Sequence, residues 1–566
     1  MEKSKTLASI KTFIKNNQDK LSILFVLIIV LTIGSILLYI NTTSNILGNS
    51  YRDIYFYLIQ ALRFSGYNIS GYQYVSTLSP LVPFLTSILF RLGFVSEFSL
   101  FFVTMLFYIF AVIGMYFLLR LRFNNILSIF GAILYASFTV NLMWAGNGSI
   151  DIPCICLSIW ALYYFIKGIN QNQKYLYLAL PLGVLSFFAK YIGAIIFAIF
   201  ILYFLSKRDI LSNFKIYGKN LVGSFFLACL LTVPFFNFYI SNHLPLGFLN
   251  QAQEISSTTT QSAVSISHNR GNNLLFYFEY LPKYIYNPNH LIGYILLIIA
   301  IIGIFYAVYK LFNIFSTSNF NKITFIFKKI SFSKYLTYFL IVLSVIGMFA
   351  SFLIAGTVSF VYSELIFFFC IFIFVVLFNE VLYNSKTDYN NLSYDVAMIG
   401  WFIGYIVFLS AHLIKVDRYA TAFMPPLAFF ITFGLKVICD RIPNKNYLRE
   451  VIPLIFIIIF IIMAFLYLTV DKHSSLVNDE QEVVEWLEIN NPELDSINIS
   501  SDRGPIYTWY LQKEVNYVSY TDNITSLDEQ LSETNAKYYI SLENNLTIPN
   551  YHKIEDIGKV SIYQRV

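Results

Sequence analysis

The chain has 566 residues, of which 57% are hydrophobic and only 12% are charged. This composition excludes an ordinary soluble protein, and apolar runs of about 20 residues recur along the first 470 positions, which predicts a polytopic helical membrane protein. The net charge of +6 conceals an asymmetry, because residues 471–566 carry 7 Lys/Arg and 17 Asp/Glu while the remainder is basic. We therefore expect the two parts to lie in different compartments.

The predicted fold is an all-α bundle with about 13 transmembrane helices. Residues 175–206 are long for one span and short for two, and the charges of the later loops favour a hairpin of two. Residues 1–20 form a basic N-terminus, and residues 21–470 form the transmembrane domain. Because Lys and Arg concentrate in alternate connecting segments, we expect a multi-pass cell-membrane protein with a cytoplasmic N-terminus and an extracytoplasmic C-terminal domain. The predicted spans are 21–40, 98–119, 125–145, 152–167, 175–189, 191–206, 219–240, 291–313, 335–355, 365–383, 395–414, 419–439 and 450–470.

The first external loop, residues 41–97, opens with a predicted helix that has a lopsided surface. Its polar residues fall within about a quarter-turn of one another and nearly all the others are apolar, which is typical of a helix lying in a membrane interface with its polar stripe toward water. The polar residues are Arg52, Asp53, Gln60 and Arg63.

Asp53 has two compatible interpretations. Ser50 and Asp53 have the spacing of a capping box, and a carboxylate in the first helical turn favours the helix dipole. A carboxylate held at the membrane interface also suits a base that accepts a proton from a hydroxyl nucleophile.

Asp151 and Lys190 are further candidates on the same predicted side. Asp151 stands in NGSIDIP at the start of the fourth span, where it fits either a helix N-cap or a second carboxylate that binds a metal or orients a sugar. Lys190 lies at the turn of a hairpin predicted over residues 175–206. It fits either an interfacial anchor or a contact with an anionic headgroup.

The long external loop, residues 241–290, has a polar middle and is a candidate substrate lid. Its histidines, His243, His268 and His290, lack metal-ligand spacing, so no metal site is predicted there.

A third cluster lies between two consecutive spans, in SAHLIKVDRYATAFMPPLAFF. Interfacial anchoring explains such residues, but the predicted outer loops are otherwise poor in cations, and Arg and Lys suit a phosphate. The cluster consists of His412, Lys415, Asp417, Arg418 and Tyr419.

Residues 471–566 change character and predict a small α/β domain. The pattern indicates helices at 479–489 and 505–511, and strands at 496–500, 516–520, 537–542 and 559–564. The short basic loops elsewhere contain neither a Walker A loop nor a dinucleotide fingerprint, and we expect no nucleic-acid partner.

Taken together, these residues resemble the GT-C class of polytopic glycosyltransferases that use polyprenyl-phosphate sugars, particularly protein O-mannosyltransferases and bacterial aminoarabinose transferases. The resemblance covers about residues 20–470. It rests on Asp53 followed by Tyr57 and the run Ser79 to Pro83, on Asp151 in SIDIP, and on His412-x-x-Lys415-x-Asp417-Arg418-Tyr419. Many relatives carry an Asp-Glu pair in the first loop, whereas Ile54 follows Asp53 here.

The resemblance implies transfer of a sugar from a polyprenyl-phosphate donor to an acceptor hydroxyl, with inversion at the anomeric carbon. Asp53 would be the base, Asp151 a second catalytic carboxylate, and Arg418, with Lys415 or Lys190, would stabilise the departing phosphate. The remaining substrate-binding candidates are Arg52, Tyr57, His412 and Tyr419. No soluble cofactor is required, and a divalent metal is possible but not predicted. The acceptor, a protein, a lipid or a glycan, stays open.

A transporter or lipid flippase is the alternative function. Transporters often carry ionisable residues near the bilayer midplane on broken helices, whereas the candidate charges here gather at span ends, and the sequence shows no internal repeat. We therefore favour an interfacial enzyme.

Overall fold

The structure is a computed structural model. It describes residues 17–43, 53–67, 78–207, 210–241, 246–249, 273–317, 322–324, 331–354, 360–385, 389–411, 415–442, 447–469, 475–518 and 524–566.

The membrane part is a bundle of helices. Its elements are α1 (Gln18–Thr43), α2 (Asp53–Ser65), α3 (Leu81–Arg91), α4 (Glu97–Arg120), α5 (Asn125–Ser137), α6 (Thr139–Trp144), α7 (Asp151–Asn170), α8 (Leu176–Ala189), α9 (Ile195–Leu205), α10 (Ile210–Ser241), α11 (Phe276–Ile285), α12 (His290–Thr317), the antiparallel strands β1 (Lys322–Thr324) and β2 (Ser331–Ser333), α13 (Lys334–Ile354), α14 (Phe360–Ser385), α15 (Tyr389–Ala411), a 3₁₀ helix (Asp417–Phe423), α16 (Met424–Asp440) and α17 (Leu448–Leu468).

Within the described residues, 10 helices are long and apolar enough to cross a membrane. Each coincides with a predicted span, so the multi-pass helical fold class is confirmed, while the count of 13 is not. The other three predicted spans, 125–145, 175–189 and 191–206, correspond to shorter helices. Residues 125–145, for example, are divided into α5 and α6 at Phe138, whose ψ of 128° interrupts the helix.

The chain reverses direction at Lys190. The backbone of Lys190 is extended between α8 and the next helical turn, and a Cβ on Gly183 of α8 would contact Phe197 of α9. A continuous helix would separate positions 183 and 197 by about 21 Å, so α9 folds back on α8, as the predicted hairpin requires. Lys190 therefore lies at the same end of the bundle as the start of α7.

Helix α2 is buried rather than laid on a surface. Ten of its 13 residues are buried, and Gln60, expected on a water-facing stripe, is only 1% exposed. The prediction of a polar stripe toward water is wrong at Gln60, because α10 covers this face and places Tyr239 beside the Gln60 amide. Helix α2 also packs along α3.

The C-terminal part contains a five-stranded sheet with the order β4-β3-β5-β7-β6, parallel among β4, β3 and β5 and antiparallel among β5, β7 and β6. The sequence pattern missed α20 and β6. The elements are α18 (Ser475–Asn490), β3 (Ile499–Ser501), α19 (Gly504–Leu511), β4 (Asn516–Tyr517), α20 (Ile524–Thr534), β5 (Tyr538–Ser541), β6 (Tyr551–Ile557) and β7 (Val560–Arg565).

Two glycines allow α12 and α16 to pack backbone against backbone. A Cβ on Gly434 of α16 would overlap the carbonyl oxygen of Ile299, and a Cβ on Gly303 of α12 would overlap that of Phe430. Carbonyl oxygens of a helix cannot move aside as a side chain can, so this contact needs glycine on both helices.

We expect Gly434→Ala to destabilise the protein by about 1–3 kcal/mol, because the added methyl group forces α12 and α16 apart. Thermal unfolding of the detergent-solubilised protein measures this. Gly218→Ala is the matched control, since a Cβ there meets nothing within 4 Å, and the substitution should be neutral or stabilising. Equal unfolding temperatures for the two variants would contradict the close-packing interpretation.

Candidate active site

Four charged side chains from four separate stretches meet at one end of the bundle. Asp53 is the first residue of α2, Asp151 is the first residue of α7, Lys190 is at the turn between α8 and α9, and Arg418 is in the 3₁₀ helix before α16. The structure thus brings together candidates that lie up to 365 positions apart in the chain.

Arg418 lies between the two carboxylates. Its Nη2 donates a hydrogen bond to Asp53 Oδ2 at 2.8 Å, and its Nε lies 3.9 Å from Asp151 Oδ2. The Lys190 ammonium contacts Asp151 Oδ1. Two cations and two carboxylates therefore form one nearly neutral network, in which Arg418 is the only member that touches both acids.

The two carboxylates differ in their access to solvent. The Asp53 side chain is 32% exposed, while the Asp151 side chain is 6% exposed. The Ser149 hydroxyl donates to Asp151 Oδ2 at 3.0 Å, and the Ser149 amide in turn donates to Asn147 Oδ1. Asp151 is thus a fixed, buried anion, and Asp53 is the carboxylate that a substrate can reach from outside.

The N-cap interpretation of Asp151 is wrong. Ile150 occupies the N-cap position of α7 and makes no side-chain cap hydrogen bond, and Asp151 is already helical. Its carboxylate turns toward the cations of the site instead.

The aromatic ring of Tyr419 lines the site. The Lys190 Nζ lies 4.1 Å from the centre of its ring, and the Arg418 guanidinium carbon lies 5.5 Å from it. Both cations are thus placed by a carboxylate and a ring together. A cavity of about 10 Å³ beside them, lined by Asp151, Cys154 and Lys190 among others, has room for about one water molecule.

Helix α11 supports the 3₁₀ helix that carries Arg418. The Tyr284 hydroxyl donates to Asp417 Oδ1 at 3.0 Å, Lys283 Nζ lies 3.8 Å from Asp417 Oδ2, and the Tyr277 hydroxyl donates to the Val416 carbonyl at 3.4 Å. Sequence reasoning missed this helix, since it treated residues 241–290 as one polar loop. The signal was present in the aromatic stretch FYFEYLPKYIY. The polar middle of that loop, the proposed lid, falls outside the described residues.

Lys415 is buried, and no described ion pair connects it to Asp53 or Asp151. Burial lowers the pKa of Lys415 to about 8, and no carboxylate contributes to this shift. Burial destabilises the charged form of a lysine, and an anion bound beside it stabilises that form. Lys415 therefore remains a candidate for binding an anion.

The other predicted site residues are in varied positions. Tyr57 lies one turn after Asp53 in α2 and is 4% exposed. His290 is exposed at the start of α12. Arg52, His243, His268 and His412 lie outside the described residues.

The described residues provide no ligand set for a metal ion, since no three His, Cys, Asp or Glu side chains come together among them. Asp53 Oδ2 pairs with Arg418, and the two oxygens of Asp151 lie beside Lys190 and Arg418, an arrangement that does not fit a resident cation. The prediction that no soluble cofactor is required, with a divalent metal possible, remains untested.

Comparisons with known proteins agree on the fold. A family model described as dolichyl-phosphate-mannose-protein mannosyltransferase matches residues 77–234. ArnT from Cupriavidus metallidurans, solved bound to undecaprenyl phosphate, is similar in structure with a TM-score of 0.55 at 11% identity, covering 95% of this chain and 98% of that one.

The oligosaccharyltransferase of Archaeoglobus fulgidus, solved tethered with an acceptor peptide containing the NVT sequon, is also similar, with a TM-score of 0.53 at 15% identity, covering 94% of this chain and 70% of that one. No curated protein sequence matches the chain. These findings confirm the predicted resemblance at the level of the fold, together with a partial match to the mannosyltransferase family model. The matched family region contains Asp151 and Lys190 but neither Asp53 nor Arg418.

We expect Asp151→Asn to destabilise the protein by about 3 kcal/mol, because it leaves Lys190 and Arg418 without their buried anion. Adding Lys190→Met should restore part of this loss, since it removes one uncompensated charge. Thermal unfolding in detergent measures both effects. Asp440→Asn is the control, because Asp440 is half exposed and its ion pair with Lys436 is worth at most about 1 kcal/mol. A double variant no more stable than Asp151→Asn alone would refute the electrostatic coupling.

Proposed function

We propose that the chain is a membrane glycosyltransferase that moves a sugar from a polyprenyl-phosphate donor to an acceptor hydroxyl, with inversion and with Asp53 as the base. The observation that carries the proposal is the hydrogen bond between Asp53 and Arg418, which places a reachable carboxylate beside a guanidinium suited to phosphate. The family model for dolichyl-phosphate-mannose transfer and the undecaprenyl phosphate bound to ArnT support the donor class.

Asp53 accepts the proton of the acceptor hydroxyl in this reaction. Arg418 holds Asp53 Oδ2, and the structure describes no hydrogen-bond partner for Oδ1. The hydroxyl oxygen attacks the anomeric carbon from the side opposite the phosphate, and the bond between that carbon and the phosphate oxygen breaks. The products are the glycosylated acceptor and polyprenyl phosphate, and the proton passes from Asp53 to water or to the phosphate.

Arg418 and Lys190 stabilise the negative charge that develops on the departing phosphate. Their side chains are only 16% and 18% exposed, and in such a poorly solvated site fixed cations act more strongly than in water. Asp151 keeps both cations in place through its contact with Lys190 and its proximity to Arg418. Donor and acceptor bind together at one end of the bundle. Part of the rate enhancement therefore comes from translational and rotational entropy that is already lost on binding.

One observation favours the transporter or flippase alternative. Glu364 lies inside a candidate membrane span, and neither of its carboxyl oxygens has a hydrogen-bond partner among the described residues. An ionisable group at such a position is a common feature of transport pathways. The four-residue network at the end of the bundle has no role in that alternative, so we favour the transferase.

Asp53→Asn should lower the transfer rate by about 10²–10⁴-fold while donor binding survives, because the amide cannot accept the proton but leaves both cations available. The measurement is mass spectrometry of polyprenyl-phosphate sugars and surface glycans from cells that express either variant at equal level. Accumulation of one lipid-linked sugar and loss of that sugar from one glycan is the expected result.

Asp19→Asn is the control for Asp53→Asn, since Asp19 pairs with Arg120 at 3.0 Å at the opposite end of the bundle. It should leave both profiles as in the wild type. If Asp53→Asn also leaves both profiles unchanged, the transferase proposal fails and the transporter alternative takes its place.

Donor binding should weaken as pH rises through about 8, because Lys415 loses its proton there and its attraction for phosphate with it. Lys415→Arg should abolish this dependence, since arginine stays charged across the range. Binding of a polyprenyl phosphate to the purified protein, measured from about pH 7 to about pH 9.5, tests the expectation. A wild-type affinity that stays constant through the lysine transition would exclude Lys415 from the phosphate site.

A further inference from the structure

The C-terminal domain contacts α2 close to its catalytic end. The hydroxyl oxygens of Tyr55 and Tyr510 lie 3.2 Å apart, and the centres of their rings are 5.8 Å apart. Gln481 Nε2 donates to the same Tyr510 hydroxyl at 3.4 Å. Tyr55 has no exposed surface, so this contact is enclosed between the domain and the bundle.

A second anchor lies one residue before Tyr510. The indole N–H of Trp509 donates to Glu97 Oε1 at 2.6 Å, and its ring stacks on Phe90 with the centres 6.0 Å apart. Glu97 begins α4 and Phe90 lies in α3, so Trp509 contacts the two helices that follow α2. Trp509 is 5% exposed.

Helix α19, which carries both residues, packs into the membrane bundle. Ile506 and Trp509 belong to the hydrophobic core of the bundle, whereas Tyr507 belongs to the core under the C-terminal sheet. One face of α19 thus packs into the core of the bundle, and the other face packs into the core of the C-terminal domain. A shift of the domain would therefore move α19, and with it the contacts to α2.

Asp53 is sensitive to such a shift because it begins α2 and Tyr55 is only two residues further on. The Asp53–Arg418 hydrogen bond of 2.8 Å breaks when its partners separate by about 1 Å. Helix α2 is only 13 residues long, and among the described contacts Tyr510 of α19 meets it at Tyr55, close to this end.

We propose that Trp509 and Tyr510 are positioning residues, through which the C-terminal domain holds α2 in the place that aligns Asp53 with Arg418. This proposal rests on the transferase function for its catalytic consequence, although the mechanical contact is independent of it. An acceptor-binding role for the domain would have a different kinetic consequence. A domain that binds acceptor changes KM for the acceptor, whereas a domain that positions the base changes kcat.

The test compares Tyr510→Ala with Tyr517→Ala, a matched tyrosine of the same domain that is 37% exposed. Hydrogen–deuterium exchange of the full-length protein is measured for residues 53–65. Tyr510→Ala should speed exchange there by about 3- to 10-fold, which corresponds to the loss of one aromatic contact. Tyr517→Ala should leave residues 53–65 as in the wild type.

Kinetics supply the second measurement. In Tyr510→Ala the kcat should fall by about 10-fold or more with the donor KM unchanged, since a displacement of about 1 Å at the base affects the chemical step rather than binding. Tyr55→Phe removes the same hydroxyl contact from the α2 side and should change exchange in the same direction. The Tyr55→Phe variant controls for the case in which Tyr510→Ala unfolds the C-terminal domain.

Three outcomes overturn the proposal: unchanged exchange over residues 53–65 in both Tyr510→Ala and Tyr55→Phe, faster exchange with an unchanged kcat, or a rise in acceptor KM at constant kcat. If the wild-type protein has no transferase activity, the transferase function fails by itself, and the exchange measurement still decides whether α19 holds α2.

Discussion

The whole site depends on Arg418, a guanidinium that is mostly removed from water and has to be matched by negative charge. A buried cation without a partner costs several kcal/mol, so the bundle must bring carboxylates to it. Asp53 and Asp151 meet this need from two separate helices. Lys190 then balances Asp151, and the turn between α8 and α9 must place it there. The positions of α2, α7 and that turn are thus linked through one side chain.

The sequence predicted much of the fold and the main members of the site for a physical reason. Apolar runs long enough to cross a bilayer are conspicuous, and charged residues at their ends are few. Asp53, Asp151, Lys190 and Arg418 were all candidates because each stands at the end of a predicted helix. Their grouping was beyond the sequence, since which helix ends meet depends on packing such as the close contact at Gly434.

The features that the sequence did not predict involve long-range packing. Gln60 fits a polar stripe by its spacing, yet α10, some 180 positions later, covers it. Helix α11 lies within a stretch dominated by polar residues. The role of its tyrosines becomes apparent only when the structure places Asp417 beside them. Trp509 and Tyr510 look like ordinary core residues of the C-terminal domain until α3, α4 and α2 are placed beside them.

In the proposed reaction, the contact between Asp53 and Arg418 links donor binding to the activity of the base. Without donor, the Arg418 guanidinium donates a hydrogen bond to one oxygen of Asp53 and so occupies it. A phosphate beside Arg418 offers a competing bidentate partner, and the guanidinium that turns toward it releases Asp53. Both oxygens of the carboxylate are then available to the acceptor hydroxyl when the sugar is in place. Asp151, buried and bound by Lys190 and Ser149, does not undergo this exchange and keeps the two cations near the phosphate. Two similar acids thereby take different roles because one can be reached by substrate and the other cannot.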